Sequence, residues 1–315
     1  MYPRRNMRIS LYLFLGCLAL SSCGASRVIV SIPKEYCAPT ISYTYDSAYL
    51  PVASPDSLVR QIPAPANFLT PHDVLTANAI GALPVVRQWV HAFGDTSVLG
   101  RLRCLELKTK IHDRVLSVET EINSIAAELD CEGERADQLG AYLDNINKKR
   151  TNLLTAASII AAAGTTIATV LVQGDGAKNG VAIGGGLLSA GLTAFTISPR
   201  GKRLRLVHER NLLTDIWYAP VSSSVYPPAV WYILREKAFS NGGQVSLLES
   251  IHRRWITFEP DAAKETLLFK DGGVYTADDL HTRANMLNQV QATVRSINQD
   301  LQGLLQDLSA SPAAH

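Results

Sequence analysis

The residues of this chain that could do chemistry are scattered. None of its seven histidines lies three or four residues from another histidine or a cysteine, although metal sites on helices use such spacings. Leu-Leu-Ser, without the lysine that a phosphate loop requires, follows Gly184-Gly185-Gly186. We therefore expect no catalytic residues, no metal site and no cofactor, and an enzyme whose site forms only in the folded chain ranks last among our functional hypotheses.

Cys23 closes a segment with the layout of a secretory signal peptide. Residues 1–22 begin with three arginines and no acid, continue with an apolar run at 11–20 and end in small residues. The run is about half the ~20 residues that a spanning helix needs. The sequence Leu20-Ser21-Ser22-Cys23 resembles the lipobox of bacterial lipoproteins, in which the chain is cut before the cysteine and that cysteine is acylated, with palmitate among the acyl groups.

This resemblance implies both an anchor and an address. Each buried methylene contributes about 0.8 kcal/mol, so several acyl chains on Cys23 would hold the protein at membrane lipid almost permanently. In the resembled family an aspartate after the cysteine often retains the protein at the inner membrane, but here Gly24-Ala25-Ser26 follow. The resemblance therefore implies a cell-envelope, outer-membrane lipoprotein that faces the periplasm.

Three cysteines remain in the mature chain, at positions 37, 104 and 131, and a secreted protein can form disulfides. If 101–150 is one helix, Cys104 and Cys131 stand about 40 Å apart at 1.5 Å per residue and cannot bond to each other. An intrachain disulfide must then involve Cys37 and leave one thiol over. The alternative is three buried, reduced structural cysteines.

The middle of the chain is almost uncharged. Residues 151–199 contain Asp175 and Lys178 as their two charges, and a basic collar flanks them at both ends: Lys148, Lys149, Arg150, Arg200, Lys202 and Arg203. The formal net charge is +2 and falls to about −1 without the three signal-peptide arginines. Because nucleic-acid binding needs a large basic excess or a concentrated basic face, we expect no nucleic-acid partner.

Each limb of this segment has about the length of a bilayer crossing. Twenty-two uncharged residues at 151–172 and nineteen at 180–198 flank a polar turn at 173–179. Small residues recur at four-residue spacing, which lets helix backbones approach closely: Ala157, Ala161, Gly180, Gly184, Gly186, Ala190 and Ala194. This spacing resembles the glycine-zipper hairpins of bacterial envelope proteins and indicates a membrane or packing hairpin.

The collar restricts where the hairpin can lie. Both ends are basic and share one side of a membrane with Cys23, so a hairpin in the inner membrane would have periplasmic basic ends, against the positive-inside rule. Three interpretations remain: insertion into the outer membrane from the periplasm, burial within a helical bundle or oligomer, or storage for insertion into a target membrane.

Two heptad patterns bracket the hairpin and predict long helices. The first lies within 85–150, runs from Val115 to Ile146 in steps of three and four, and includes Gly133 as a possible kink. The second lies within 276–315, begins with Thr276 as the N-cap, and contains the predicted interaction seam: Leu287, Val290, Val294, Ile297, Leu301 and Leu304. These helices could pair antiparallel in one chain as core helices, or each could form a coiled coil with a copy of itself or another protein.

The remaining segments predict shorter elements. Eight prolines within 31–84 indicate that 23–84 is a lipidated tether, with short helices near 73–80 and 84–93. In 200–275 the pattern predicts short helices, the first at 203–217, and a small β-hairpin at 265–275.

We therefore expect a mainly α protein: a helical bundle with long heptad helices, an apolar small-residue-rich helical hairpin and minor β-hairpin content. The leading hypothesis for function is a structural or interaction (scaffold or accessory) subunit of the envelope, with a protein partner or homo-oligomer bound through the heptad helices. The alternative is a membrane-active protein that inserts 151–199 into a bilayer, because its order of helices is distantly similar to that of α-helical pore-forming proteins.

Overall fold

The computed structural model describes residues 37–39, 45–52, 69–172, 174–197, 201–258 and 264–310, with only the backbone described for 192–197. Of these residues 76% are helical, which confirms the predicted mainly α class with minor β structure. The signal peptide (1–22), Cys23, Arg200 and the tether residues 53–68 lie outside the described residues.

Within the described residues, the α-helices are α1 (Pro71–Ala79), α2 (Leu83–Ala92), α3 (Val98–Leu171), α4 (Asp175–Ile197), α5 (Thr214–Tyr218), α6 (Pro228–Arg235), α7 (Leu247–Phe258), α8 (Glu265–Phe269) and α9 (Ala277–Ser309). The strands β1 (Leu204–Val207) and β2 (Gly272–Tyr275) form a two-stranded antiparallel sheet. The described chain divides into two compact units. We call residues 138–206 and 274–280 the hairpin unit, and residues 37–137, 207–273 and 281–310 the bundle unit.

The bundle unit is built on the antiparallel pairing of α3 and α9. Hydrogen bonds join Asp137 to His281 at 2.7 Å and Asp130 to Gln291 at 2.8 Å, so α9 runs back along α3. All six residues of the predicted interaction seam on α9 are buried, with at most 3% of any side chain exposed. The intrachain core alternative is therefore confirmed for these residues, and they are not a surface for a partner.

The heptad residues of α3 are buried in the same way from Val115 to Leu129. The helix continues through Gly133, so the chain does not break there. A Cβ at Gly133 would lie 2.6 Å from Oδ1 of Asn288, so this glycine provides space for α9. Close packing of two helices explains a glycine that would otherwise weaken α3.

Parts of the predicted tether pack onto the bundle unit. Cys37 forms a disulfide with Cys131, and Cys104 is free, so the expected pairing through Cys37 is confirmed. Val52 exchanges two backbone hydrogen bonds of 3.1 and 3.0 Å with the side chain of Asn78. The folded unit therefore includes residues that the sequence assigned to the tether.

The two short predicted helices before α3 are present as α1 and α2. Thr70 and Asp73 form a capping box at the start of α1, with Pro71 in its first turn. This combination satisfies the first free backbone N–H groups of a helix, which explains why the segment folds despite the prolines around it.

Two predicted elements between 200 and 275 are wrong. The segment predicted as a helix at 203–217 begins with strand β1, in which Leu204 and Leu206 are buried and Arg205 and Val207 are exposed. This alternation has the period of two that a strand requires. The segment predicted as a local hairpin contains helix α8 followed by β2, which pairs with the distant β1.

Candidate membrane-inserting hairpin

The hairpin consists of the last part of α3, from residue 151, and of α4. Gly174, between the two helices, has φ +107°, a conformation that side chains disfavour and glycine adopts freely. The backbone N–H of Lys178 donates to the Gly174 carbonyl at 3.1 Å. Helix α4 therefore begins at Asp175, and most of the polar turn predicted at 173–179 is helical.

The two limbs touch through small and hydroxylated residues. A Cβ at Gly185 would overlap the side chain of Thr165, so the backbone of α4 lies directly against α3 at this point. One turn further on, the Ser189 hydroxyl donates to the Ser158 carbonyl at 3.5 Å. Small residues therefore permit close approach of the limbs, as the four-residue spacing predicted.

The residues that make this contact differ partly from those singled out in the sequence. Ala157 and Ala161 of the first limb are half-buried. Gly180, Gly184 and Gly186 are exposed, with no described atom within 4 Å of the position of an added Cβ. Ala190 is exposed, and the side chain of Ala194 lies outside the described residues.

The sequence contained the missed signal one residue further along. Val181, Gly185 and Ser189 also follow a four-residue spacing, and all three are half-buried. A helix with small residues on several faces offers more than one such series. Spacing alone cannot choose between them, because the choice depends on the rotation of α4 against α3.

Large aliphatic side chains cover the outside of both limbs. Their exposed fractions range from 47% for Leu188 to 77% for Val170, and the set comprises Leu153, Ile159, Ile160, Ile167, Val170, Leu171, Ile183, Leu187 and Leu188. Soluble monomers seldom expose a contiguous apolar surface of this kind. This surface is exposed in the part of the chain that the structure describes, and the three interpretations of the hairpin all remain predictions.

Hydroxyl groups in the first limb donate to the backbone of the same helix. Thr165 bonds the Ala161 carbonyl at 2.7 Å and Thr166 bonds the Ala162 carbonyl at 3.1 Å. Exposed threonines elsewhere in the chain, such as Thr109, do the same. The pattern is therefore compatible with lipid, where a polar group must find its partner inside the protein, but is not specific to it.

The length of the limbs matches the hydrocarbon layer of a membrane. The 23 residues of α4 span roughly 34 Å, against about 30 Å of hydrocarbon. Among the described residues, one helix, Val98–Leu171, contains an 18-residue window long and apolar enough to cross a membrane.

Basic residues lie at the end of the hairpin opposite its turn. The backbone N–H of Lys202 donates to Oδ1 of Asn147 at 2.7 Å. This bond places the segment that follows α4 beside the residues that precede the first limb. Lys148, Lys149 and Arg150 are exposed, as is Arg203, whereas Lys202 is half-buried. The structure therefore brings together the described members of the predicted collar.

The bundle unit contains buried titratable groups. Arg210 pairs with Glu128 at 2.8 Å, and burial raises the pKa of that carboxyl. Burial, with Arg283 and Arg135 nearby, lowers the pKa of His208 to about 2. Within the described residues no group of three or more histidine, cysteine or carboxylate side chains is placed to hold a metal ion.

Comparisons of this chain with protein-family models, with curated proteins and with solved structures found no match.

Proposed function

We propose that this protein is a structural, interaction-type subunit of the bacterial envelope, held at a membrane both by acyl chains on Cys23 and by the hairpin of α3 and α4. The observation that carries the proposal is the exposure of nine large aliphatic side chains on the hairpin. Moving them from water into lipid would contribute on the order of 10 kcal/mol, because full burial of one such side chain is worth about 1.5–3 kcal/mol.

Lipid fits this surface better than water does. The limbs have the length of the hydrocarbon layer, and the exposed lysines and arginines at the base could contact anionic headgroups, at about 1 kcal/mol for each close residue. The five glycines in the described part of α4 before Leu187 weaken a helix in water by roughly 1 kcal/mol each relative to alanine. In lipid the helix is favoured because its backbone groups have no other partners.

The length of α3 supports a structural role. It has 74 residues, whereas an average helix has about 11–12. One continuous helix thus contributes the spine of the bundle unit and one limb of the hairpin. We infer that the bundle unit is the part offered to other envelope components, and that the hairpin and lipid hold it in place.

The test is the environment of single cysteines in the full, lipid-anchored chain, with Cys104→Ser as background. Ile160→Cys and Leu187→Cys carry an environment-sensitive fluorophore, in phosphatidylethanolamine–phosphatidylglycerol vesicles that contain a spin-labelled lipid quencher. Arg103→Cys is the matched control, because this arginine is also exposed and lies on α3 outside the hairpin. The unsubstituted background controls for labelling of Cys23.

We expect blue-shifted, quenched emission at positions 160 and 187 and neither effect at position 103. Emission at all three positions typical of water would contradict the proposal. A blue shift without quenching would also contradict it, because it would place the hairpin between protein chains instead of in lipid.

Membrane permeabilisation is the second candidate function. Gly164, Gly180, Gly184, Gly186 and Gly191 have no described neighbour at the position of a Cβ, so several inserted hairpins could pack together through them. Release of a vesicle-entrapped dye by the wild-type chain, and its loss in Ile160→Asp and Gly186→Asp, would support this function. Inserted protein that leaves vesicles sealed would exclude it and retain the structural proposal.

A further inference from the structure

Helix α3 carries a second apolar seam near its amino-terminal end. Val98, Leu102, Leu105 and Leu116 are between 58% and 68% exposed, and Thr109 and His112, also exposed, fill the positions between them. The steps between these six residues are four, three, four, three and four, which is the heptad spacing of a coiled coil. We call these six residues the outer seam.

The outer seam is separate from the seam that forms the core. The core side of this stretch contains Leu107, Ile111, Val115 and Val118, each with at most 4% exposed. When the outer seam occupies heptad positions a and d, Leu107, Ile111 and Val118 occupy f and c on the far side of the helix, and Val115 occupies g, about a quarter turn from the seam. Single exposed leucines are common in proteins, but a row at heptad spacing is typical of a helix–helix contact.

The charged residues beside the outer seam are complementary to those of a second copy of α3. Position g holds Arg101 and Lys108, and position e holds Glu106 and Asp113. In a parallel coiled coil, a g residue faces the e residue five positions later on the other helix. Two copies of α3 would therefore pair Arg101 with Glu106 and Lys108 with Asp113, and symmetry makes four such pairs.

Other arrangements of two copies lack this complementarity. Antiparallel helices place g against g and e against e, so Arg101 and Lys108 would face basic residues and Glu106 would face an acid. Glu106 is already paired with Lys110 at 2.6 Å, but both side chains are more than half exposed. Such surface pairs contribute little and can exchange partners.

We propose that the outer seam is a parallel, in-register dimer interface between two copies of this chain. About three heptads with Thr109 and His112 inside form a weak contact. Two copies attached to one membrane have a raised effective concentration, which favours even a weak contact. The proposal does not require the hairpin to enter lipid, so the two proposals can fail separately.

The first test is disulfide crosslinking of the full chain in its membrane, in the Cys104→Ser background. Val98→Cys and Leu116→Cys lie at opposite ends of the outer seam. The control is Arg103→Cys, exposed on the same helix at heptad position b. We expect each seam variant to crosslink to itself well above the control.

Three results would overturn the proposal. Self-crosslinking no higher than the control at both ends would exclude the contact. Crosslinking that needs a mixture of Val98→Cys and Leu116→Cys chains would show antiparallel pairing instead, and a crosslink to a different protein would assign the seam to that partner.

The second test exchanges the flanking charges and needs no cysteine. The double variant Arg101→Glu with Lys108→Glu makes all four flanks acidic, and Glu106→Lys with Asp113→Lys makes them basic. Each alone should weaken dimerisation on the order of 100-fold, or about 2.8 kcal/mol, since four attractive contacts become repulsive. A mixture of the two should restore the dimer, measured by sedimentation of the full chain in detergent.

Recovery in the mixture separates the charge effect from misfolding, because a misfolded chain would not be rescued by its complement. Dimers of unchanged affinity in both double variants, or a mixture that stays monomeric, would refute pairing through the outer seam.

Discussion

Two stretches of α3 differ in whether their apolar residues are buried or exposed. From Val115 to Leu129 the apolar residues follow one stripe, and α9 of the same chain packs on this part of the helix. From residue 151 onwards the helix has no charged residue, and Ile160, Val170 and other large side chains are exposed. One helix thus contains a conventional core element and an apolar surface that is exposed among the described residues.

Hydrophobicity alone therefore does not identify the core of this protein. The stripe of the bundle unit has a polar side that can face water, so the helix can be buried on one side only. The hairpin has no comparable polar side and is poor in charge along its whole length. A helix that is apolar all round is buried in protein or in a membrane, and for this hairpin we propose the membrane.

A charge placed in each region should affect a different property. In the bundle unit it should lower folding stability, and in the hairpin it should reduce membrane insertion. Val294→Asp buries an unpaired carboxylate in the core of the bundle unit and should lower its free energy of unfolding by at least about 4 kcal/mol. Ile160→Asp, at a side chain 71% exposed, should change it by less than about 0.5 kcal/mol while reducing membrane insertion.

Tryptophan fluorescence during urea denaturation of the full chain in mild detergent measures this, because all four tryptophans lie in the bundle unit. If Val294→Asp unfolded at the wild-type urea concentration, α9 would not be a core helix.

The disulfide should stabilise the bundle unit and leave the hairpin unaffected. Cys37 and Cys131 are 94 residues apart, and closing a loop of that size is worth about 2–5 kcal/mol. Cys37→Ser should therefore lower the urea midpoint of tryptophan fluorescence, whereas Cys104→Ser, which removes a free thiol, is the control. Equal midpoints in the two variants would show that the crosslink does not constrain the unfolded chain.

Acid should weaken the bundle unit through His208. Because burial lowers its folded pKa to about 2, the unfolded chain, with a pKa near 6.5, binds a proton at a higher pH than the folded chain does. Stability is therefore lost as the pH falls below 6.5, on the order of 2 kcal/mol by pH 4.5.

His208→Gln should remove this part of the acid sensitivity, seen as a smaller difference between unfolding free energies at pH 7.5 and pH 4.5. Parallel pH curves for the two proteins would contradict the assignment. The hairpin has Asp175 and Lys178 as its charged residues, so its fluorophore emission should not follow the same curve.

Glycine replacements should give the smallest contrast. Gly133→Ala gains about 1 kcal/mol of helix propensity but places a methyl group 2.6 Å from Asn288, so we expect a net loss of about 1 kcal/mol in the bundle unit. Gly164→Ala meets no described atom and should stabilise the hairpin helix by about 1 kcal/mol. Amide hydrogen exchange of both segments measures the two effects, and equal signs would contradict the packing difference.

Sequence patterns predicted the elements whose signals are local. The heptads of α3 and α9, the capping residue Thr276 and the four-residue spacing of the hairpin each depend on neighbours within a few turns. The sheet was mispredicted because 64 residues, 208–271, separate β1 from β2. Neither strand is long enough to give a clear alternating pattern of apolar residues. The faces used by α4 were mispredicted because two series of small residues compete.

What the sequence determined by itself was which segments could tolerate water. The free energy of transferring a side chain from water depends on its chemistry. The charge-poor stretch at 151–199 and the amphipathic heptads could therefore be identified from the sequence. Only the tertiary structure decided which apolar surfaces are covered. That choice depends on helices far apart in the chain, and it buried the seam of α9 while leaving the hairpin and the outer seam exposed.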